Sequence, residues 1–363
     1  MDERIKHYGW KVSPYSAKTR SYLRYAGVPF DDVAPTMLEL LGPIRRAVGA
    51  VVMPTVRLPG GRFIKDSSNI IDHFAHEPHA TSIEPGGPRQ RVASAVLEVY
   101  GDEWLPLATL HYRWSRKASA DFAVAEFGRA AAPWLPAFVQ RAIGRGIATK
   151  MQSYLPMLGI DARSAPGIET MTRALIADLE DLLLGRPYLL GHRPCLGDFS
   201  LYGPLFGHLS RDPGSTELFA QAPRVRGWLE RMHAPQCLGE FDVNDAIPAP
   251  LERILARAFA EQWSYLKGLV GLIDAYAAAH PEAKRVPRAL GQLPFTVGGV
   301  TAERKAVTFA QWKQQRATDC FAALGVEEQA EVRAWLERLG GVSVCEPPRH
   351  PFCFVGHALR LAR

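Results

Sequence analysis

Ser13-Pro14-Tyr15-Ser16 lies between a short apolar segment and a helical pattern, and its surroundings decide the fold. Upstream, residues 4–10 predict a first strand, and downstream residues 16–26 have the apolar spacing of a helix that stops at Gly27. The next predicted elements are a strand at 29–33, a helix at 36–48, hairpin strands at 55–58 and 62–65, and a helix capped by Asp66. The order β-α-β-α-β-β-α within residues 1–76 predicts a thioredoxin-like domain.

Helical patterns dominate the rest of the chain after a Pro- and Gly-rich linker at 76–88. They cover 89–118, 120–156, 168–184, 198–210 and 224–233, and a third block follows Pro248. That block predicts a long amphipathic helix at 251–279, a turn region at 291–300, helices at 302–324 and 327–339, and strand-like segments at 342–345 and 352–356. We expect no other strand after the linker. The predicted domains are therefore an α/β thioredoxin-like domain at 1–80, an all-α domain at 88–245 and a mostly helical extension at 246–363.

Composition and charge favour a soluble protein with a small anionic ligand. Of the 363 residues, 47% are hydrophobic, and no apolar run approaches the roughly 18 residues that a membrane-spanning helix needs. The net charge of +6 is spread over Arg-rich helices, which is more typical of solvated helix faces than of a nucleic-acid footprint. We expect no membrane or nucleic-acid partner and, since no secretory signal is visible, a cytoplasmic location.

The cysteine pattern argues against a metal site. Five cysteines occur without a CxxC motif and without metal-ligand spacing to histidine. An odd number of cysteines in a chain without a signal predicts reduced thiols.

Three positions carry residues suited to binding a thiol compound with an amino-acid end. Hydroxyls at Ser13, Tyr15 and Ser16 face a helix N-terminus, where an anion is stabilised and a thiolate can accept a hydrogen bond. Met53-Pro54 stands at a strand start, where a proline is expected at an edge or in the cis form. Asp66-Ser67 combines a carboxylate with free N–H groups, which suits a zwitterionic amino acid. Each position also has a purely structural interpretation as a cap or a turn.

Together these positions resemble the glutathione transferase superfamily. SPYS stands where glutaredoxins carry Cys-Pro-Tyr-Cys and where many transferases carry a catalytic Ser, Cys or Tyr. Met53-Pro54 resembles the Val-cisPro that pairs with the glutathione backbone, and Asp66-Ser67 resembles the pair that holds its γ-glutamyl end. The run from Gly185 to Leu201 resembles a signature of the helical domain, with Asp198 as its buried capping aspartate and Cys195 where a Ser or Thr is usual. The likeness covers about residues 1–235.

The resemblance implies that glutathione is the co-substrate and that its thiolate attacks an apolar electrophile. We expect a transferase, or a lyase or isomerase of the same mechanism, acting as a homodimer. Ser13 is the first candidate to meet the sulfur, ahead of Ser16, which we expect to cap the helix, and Tyr15. A non-catalytic binding or scaffold protein of the same fold is the alternative, and a thiol-disulfide reductase is disfavoured because SPYS has no sulfur.

A second-substrate pocket is harder to place. Tyr100, Trp104, His111 and Trp114 recur at helical spacing along the first long helix of the predicted second domain. The helix in the resembled fold borders the electrophile site, so Trp104 and His111 are candidates for that pocket. The alternative is that this stripe belongs to a core or a dimer contact.

Overall fold

The computed structural model describes residues 4–77 and 80–362. Two compact units are interleaved along the chain. The first unit comprises residues 1–83, 109–154 and 198–238, and the second comprises 84–108, 155–197 and 239–363. Among the described residues, no helix is long and apolar enough to cross a membrane.

The first unit begins with a four-stranded mixed sheet. Its elements are β1 (Ile5–Tyr8), α1 (Pro14–Tyr25), β2 (Phe30–Val33), α2 (Met37–Glu39), α3 (Arg45–Val48), β3 (Thr55–Arg57), β4 (Phe63–Lys65) and α4 (Ser67–Ala75). The strand order is β2-β1-β3-β4, with β1 parallel to β2 and antiparallel to β3. This sheet and the helices around it confirm the predicted thioredoxin-like arrangement.

Local sequence features set the limits of these elements. Helix α1 begins at Pro14, whose missing N–H costs nothing in the first turn, and ends before Gly27, which has a φ of 67°. A π-helical turn, Leu40–Ile44, joins α2 and α3 into one helical segment, as predicted for residues 36–48. Trp10, Leu40 and Ile44 lie in one buried cluster with Phe127 from a later helix of the same unit.

Among the described residues, seven α-helices follow before the C-terminal region. They are α5 (Pro88–Glu103), α6 (Pro106–Ser115), α7 (Lys117–Ala131), α8 (Ala137–Gln152), α9 (Ala165–Leu182), α10 (Leu196–Pro204) and α11 (Pro223–His233). The predicted helical region is confirmed, but two of its helices are divided. Pro106 ends the predicted 89–118 helix early, and Pro133 and Pro136 separate α7 from α8, because proline cannot donate within a helix.

The C-terminal region differs from the prediction at several places. It contains α12 (Ala249–Ala258), α13 (Ser264–Ala279), β5 (Ala289–Val297), β6 (Val300–Val307), α14 (Phe309–Ala322), α15 (Val326–Leu339), β7 (Phe352–Val355) and β8 (Ala358–Leu361). The turn region predicted at 291–300 is wrong, since β5 and β6 form a long antiparallel hairpin around Gly298-Gly299. The helix predicted at 302–324 begins only at Phe309, because residues 302–307 belong to β6. The hairpin and β8 also contradict the expectation of no other strand. Residues 342–345 form a short 3-10 helix rather than a strand, whereas the strand at 352–355 is confirmed.

The long helix predicted at 251–279 is confirmed, because a π-helical turn at Phe259–Trp263 connects α12 directly to α13. The linker predicted at 76–88 includes residues 78 and 79, which lie outside the described residues. The three predicted domain boundaries stay predictions.

Candidate functional site

The sheet brings the three predicted positions to one end. Tyr8 at the end of β1 pairs with Thr55 at the start of β3, and Thr55 pairs with Lys65 at the end of β4. Ser13 follows β1, Met53-Pro54 precedes β3 and Asp66 follows β4. All three positions therefore lie at the same end of three adjacent strands: the Ser13 hydroxyl, the Met53-Pro54 bond and the Asp66 carboxylate.

Ser13 is the N-cap of α1. Its Oγ accepts a hydrogen bond from the backbone N–H of Ser16 at 3.2 Å, and its backbone is extended. The expectation that Ser16 would cap this helix is wrong. Because proline is favoured at the first helical position, Pro14 fixes the cap at the residue before it. The Ser13 side chain is half-buried, and a hydroxyl that accepts one bond can still donate its own proton.

Ser16 lies inside the first turn and has no exposed surface. Its Oγ has no hydrogen-bond partner among the described residues. A Cβ on Gly9 would lie 2.5 Å from this oxygen, so the backbone after β1 covers the side chain. Tyr15, in contrast, is half-buried. Of the three predicted hydroxyls, those of Ser13 and Tyr15 are therefore the ones within reach of solvent.

Arg113 holds the loop before Ser13, and the sequence did not indicate this. Its guanidinium donates to the Val12 carbonyl at 3.0 Å and makes two bonds to Asp212, at 2.6 and 2.7 Å. Arg113 and Asp212 are 2% and 1% exposed. Burial raises the pKa of the Asp212 carboxyl and Arg113 opposes that rise. A charged residue in an apolar helical stripe (LHYRWS) was the signal available in the sequence.

The Met53–Pro54 peptide bond is cis, as predicted. Met53 is half-buried and Pro54 is buried at the start of β3.

Asp66 is the N-cap of α4 in an unusual conformation. Its φ is 74° and its carboxylate accepts from the backbone N–H groups of Ser68 and Asn69, at 2.9 and 3.3 Å. A positive φ is disfavoured for a residue with a side chain, and such outliers cluster at ligand sites. Ser67 is buried directly after it. The capping interpretation is confirmed, and the γ-glutamyl contact stays a prediction.

Trp104 and His111 belong to different compact units. Trp104 is completely buried in the second unit, where its Nε1 donates to Glu261 at 3.3 Å and its ring lies against Phe295. This is the core alternative foreseen for the aromatic stripe. His111 lies in α6 and is buried in the first unit. A role for either residue beside a second substrate stays a prediction.

Asp198 and the cysteines complete the predicted features. Asp198 is fully buried in the first turn of α10, and its Oδ1 accepts from Trp228 Nε1 at 3.0 Å. All five cysteines lie in the described part of the chain, and no disulfide joins them. Residues 4–77 and 80–362 contain no group of His, Cys, Asp and Glu side chains that could hold a metal ion.

Residues 8–82 match the family model of the glutathione S-transferase N-terminal domain. This stretch of the chain is similar to that family of domains. The match spans β1 to α4 and so includes Ser13, Met53-Pro54 and Asp66-Ser67. It confirms the resemblance to the glutathione transferase superfamily that those residues indicated.

Several solved structures are similar to the chain. A glutathione S-transferase from Xanthobacter autotrophicus Py2 is 19% identical, with 69% of this chain and 99% of that one covered and a TM-score of 0.38. A glutathione S-transferase from Methylobacterium radiotolerans, in complex with glutathione sulfonate, is 20% identical, with 68% and 100% covered and a TM-score of 0.42. A beta-etherase from Sphingobium sp. strain SYK-6 is 17% identical, with 69% and 98% covered and a TM-score of 0.41. No curated protein matches the chain significantly.

Proposed function

We propose that the protein is a glutathione-dependent transferase, or a lyase or isomerase that uses the same thiolate chemistry. The observation that carries this proposal is the convergence of Ser13, Met53-Pro54 and Asp66 at one end of a glutathione S-transferase N-terminal domain. In this proposal, glutathione lies along that end of the sheet and acts as a cytoplasmic co-substrate. Its thiolate attacks an apolar electrophile. The protein would work as a homodimer.

Ser13 is the proposed donor to the glutathione sulfur. Because its Oγ already accepts from the Ser16 N–H, its hydroxyl proton is directed away from the helix and can be donated to a thiolate. The N-terminal end of α1 adds positive potential from its unpaired N–H groups. Both effects favour the ionised thiol and lower its pKa from an ordinary value near 8.5. Tyr15 is the second candidate, and Ser16 comes last because it is fully buried.

The remaining contacts fix the glutathione molecule. Met53 would pair its backbone N–H and C=O with the cysteinyl residue, as an added strand does. Asp66 would accept from the γ-glutamyl ammonium, while the N–H groups that begin α4 would bind its carboxylate. Ser13 and Asp66 stand at opposite ends of this extended ligand in the proposal.

The thiolate form of bound glutathione is the property that tests this proposal. It absorbs in the ultraviolet, so its absorbance can be followed against pH for the wild type and for Ser13→Ala, Tyr15→Phe and Ser16→Ala. We expect Ser13→Ala to raise the thiol pKa and to reduce turnover by up to about 100-fold, with less loss where water replaces the hydroxyl. Ser16→Ala should leave the thiol pKa unchanged.

A non-catalytic glutathione-binding protein is the second candidate. It would be retained on immobilised glutathione and yet show no thiolate absorbance below pH 8.

An unchanged thiol pKa in Ser13→Ala together with a raised thiol pKa in Tyr15→Phe would transfer the activating role to the tyrosine.

A further inference from the structure

Helices α7 and α8 form a hairpin whose connecting segment is exposed and apolar. The hairpin lies within residues 109–154 of the first unit, and we call residues 133–138 the hairpin tip. In the hairpin tip, Trp134 is 57% exposed and Phe138 is 77% exposed. The other residues of the hairpin tip are Pro133, Leu135, Pro136 and Ala137. Because exposed apolar patches mark contact sites, two large aromatic rings on one short segment indicate a binding surface.

Close contact between the two helices gives the hairpin tip a stiff support. A Cβ on Gly128 of α7 would lie 2.1 Å from the backbone oxygen of Gln140. A Cβ on Gly144 of α8 would lie 2.0 Å from the backbone oxygen of Val124. The two antiparallel backbones therefore touch at two levels, and glycine is the residue that permits such an approach.

One face of α8 is packed and the opposite face is exposed. Ile143 and Ile147 pack against the buried cluster that contains residues of the N-terminal sheet domain and α7. Phe138, Arg141 and Arg145 are exposed. Since residues three and four positions apart share one face of a helix, these three side chains lie on the same outer side of the hairpin.

The outer side of the hairpin is positively charged. Residues 127–154 contain four basic residues and no acidic residue. Among the described residues, no carboxylate forms an ion pair with Arg145. Arg141 lies 3.9 Å from Asp121, a carboxylate that Lys117 also contacts. The four basic residues are Arg129, Arg141, Arg145 and Lys150.

This combination of charge and aromatic rings decides between possible partners. In a two-fold contact with a second copy of the chain, each partner would present the same patch, so the cations of α8 would face like charges. A bilayer with anionic lipids instead offers negative headgroups to the guanidinium groups and an interfacial layer to the aromatic rings. The convex hairpin tip also suits shallow insertion, since aromatic side chains enter the interface by a few ångströms while cations stay at the headgroups.

We propose that the hairpin of α7 and α8 docks the protein on the surface of an anionic lipid bilayer. Trp134 and Phe138 enter the interface, and Arg141 and Arg145 contact the lipid headgroups. The expectation of no membrane partner rested on the lack of a spanning segment, which a surface contact does not need. The docking surface does not rest on the proposed glutathione chemistry.

Flotation of the full-length protein with lipid vesicles tests this surface. The vesicles contain phosphatidylcholine and phosphatidylglycerol at about three to one, with pure phosphatidylcholine vesicles for comparison. We expect binding to the anionic vesicles at about 0.1 M salt, and weaker binding both at higher salt and to pure phosphatidylcholine. The double variant Trp134→Ala/Phe138→Ala should bind about tenfold or more weakly, because its apolar anchors are lost. Arg145→Gln should bind about fivefold more weakly, the contribution of one cation near an anionic surface.

Two exposed residues of the same unit outside the hairpin provide matched controls. Arg226→Gln on α11 removes one exposed arginine and changes the net charge as Arg145→Gln does. Leu238→Ala removes an apolar side chain from a residue that is 52% exposed. Both controls should bind the anionic vesicles as the wild type does. Thermal unfolding should be the same in every variant, because all the substituted residues are exposed.

Three results would overturn the proposal. One is the absence of the wild type from the floated anionic vesicles at low salt. Another is equal binding of Trp134→Ala/Phe138→Ala and the wild type, which would mean that no insertion takes place. The third is self-association of the wild type in solution that the double variant abolishes, since the hairpin tip would then be a contact between copies of the chain.

Discussion

A single residue, Asp66, combines two properties that mutation can separate. Its carboxylate caps α4. In the proposed function, the same carboxylate also accepts a hydrogen bond from the γ-glutamyl ammonium of glutathione. Asparagine keeps an oxygen for the cap and tolerates a positive φ better than most residues, but it carries no charge. Alanine loses the cap, the charge and the conformational preference together.

We therefore expect Asp66→Asn to weaken glutathione binding by about 1.5–3 kcal/mol while changing the free energy of unfolding little. Asp66→Ala should show the same loss of affinity and, in addition, a loss of stability of about 1–2 kcal/mol. Calorimetric titration with glutathione and urea unfolding measure the two effects. Unchanged glutathione affinity in Asp66→Asn would reduce Asp66 to a structural cap.

His208 should make the first unit sensitive to acid. It is fully buried, its Nε2 lies 2.7 Å from Arg113, and burial followed by the Arg113 charge lowers its pKa well below the usual value. The folded state therefore keeps this histidine neutral, whereas the unfolded chain takes up a proton near pH 6.5. Because the unfolded state then binds more protons, stability falls as the pH drops below about 6.5.

The expected loss from this one histidine is about 1.4 kcal/mol per pH unit below that value. His208→Gln keeps an acceptor for Arg113 and should flatten the dependence of the unfolding free energy on pH by that amount. The exposed His280→Gln serves as the control and should follow the wild-type curve. Parallel curves for His208→Gln and wild type between pH 7 and pH 5 would contradict the assignment.

The difference between Ser13 and Ser16 shows how far sequence analysis reached at the site. Both positions carry serine, which is a good N-cap residue, and they are three positions apart. The residue type alone therefore did not show which of them caps α1. Pro14 did indicate the N-cap, because proline prefers the first helical position and this places the cap at Ser13. Arg113 was beyond prediction, since its contact with Val12 joins residues 101 positions apart.

Helix α14 departs from ordinary packing. Its buried side chains are largely polar, and two ion pairs join it to α5 within the second unit. Lys313 Nζ lies 2.9 Å from Asp102, and Arg316 Nε lies 2.6 Å from Glu98. Both carboxylate side chains are 1% exposed. Such pairs fix which helices associate, because a lone buried charge is costly.

Lys313→Met should therefore destabilise the protein by about 3–5 kcal/mol, since it removes the cation that pairs with the buried Asp102 carboxylate. The double variant Lys313→Met/Asp102→Leu should recover most of that loss, because it replaces both charges with apolar groups. A double-mutant cycle on the free energy of unfolding measures the coupling. Additive losses in the two single variants and the double variant would refute a direct interaction.

The hairpin of β5 and β6 explains why the C-terminal region was harder to predict than the first domain. The residues of β6 alternate between buried and exposed, but the buried ones are Ala302, Arg304 and Ala306. Arg304 lies over the rings of Trp104 and Tyr265. A strand whose inner face is alanine and arginine has no hydrophobic alternation for a period-two pattern to detect. In the first domain, the apolar spacing, the turn residues and the helix caps all indicated the same helices and strands.

At the scale of the whole molecule, the C-terminal region is part of a larger unit. Helix α12 packs on α9, and α14 packs on α5, so the last segment completes a core begun by earlier segments. Removing residues 246–363 would expose the apolar and charged surfaces of α5 and α9 together.

We expect the fragment 1–245 to aggregate on expression, because Glu98 and Asp102 would lose their partners and the core of the second unit would open. Soluble yield and size-exclusion chromatography test this. Co-expression of 246–363 as a separate chain should restore soluble material. A monodisperse fragment 1–245 with a cooperative unfolding transition would show that the extension is dispensable for folding.

The interleaving of the two units also sets an order of events while the protein is being made. The last segment of the first unit ends at Leu238, but the second unit needs residues up to the C-terminal region. Asp102 leaves the ribosome 211 residues ahead of Lys313. At about 5–20 residues per second, that interval lasts on the order of 10–40 s. During that time the nascent chain carries α5 without the α14 side chains that pair with Glu98 and Asp102, so this helix is a natural point of contact for chaperones during synthesis.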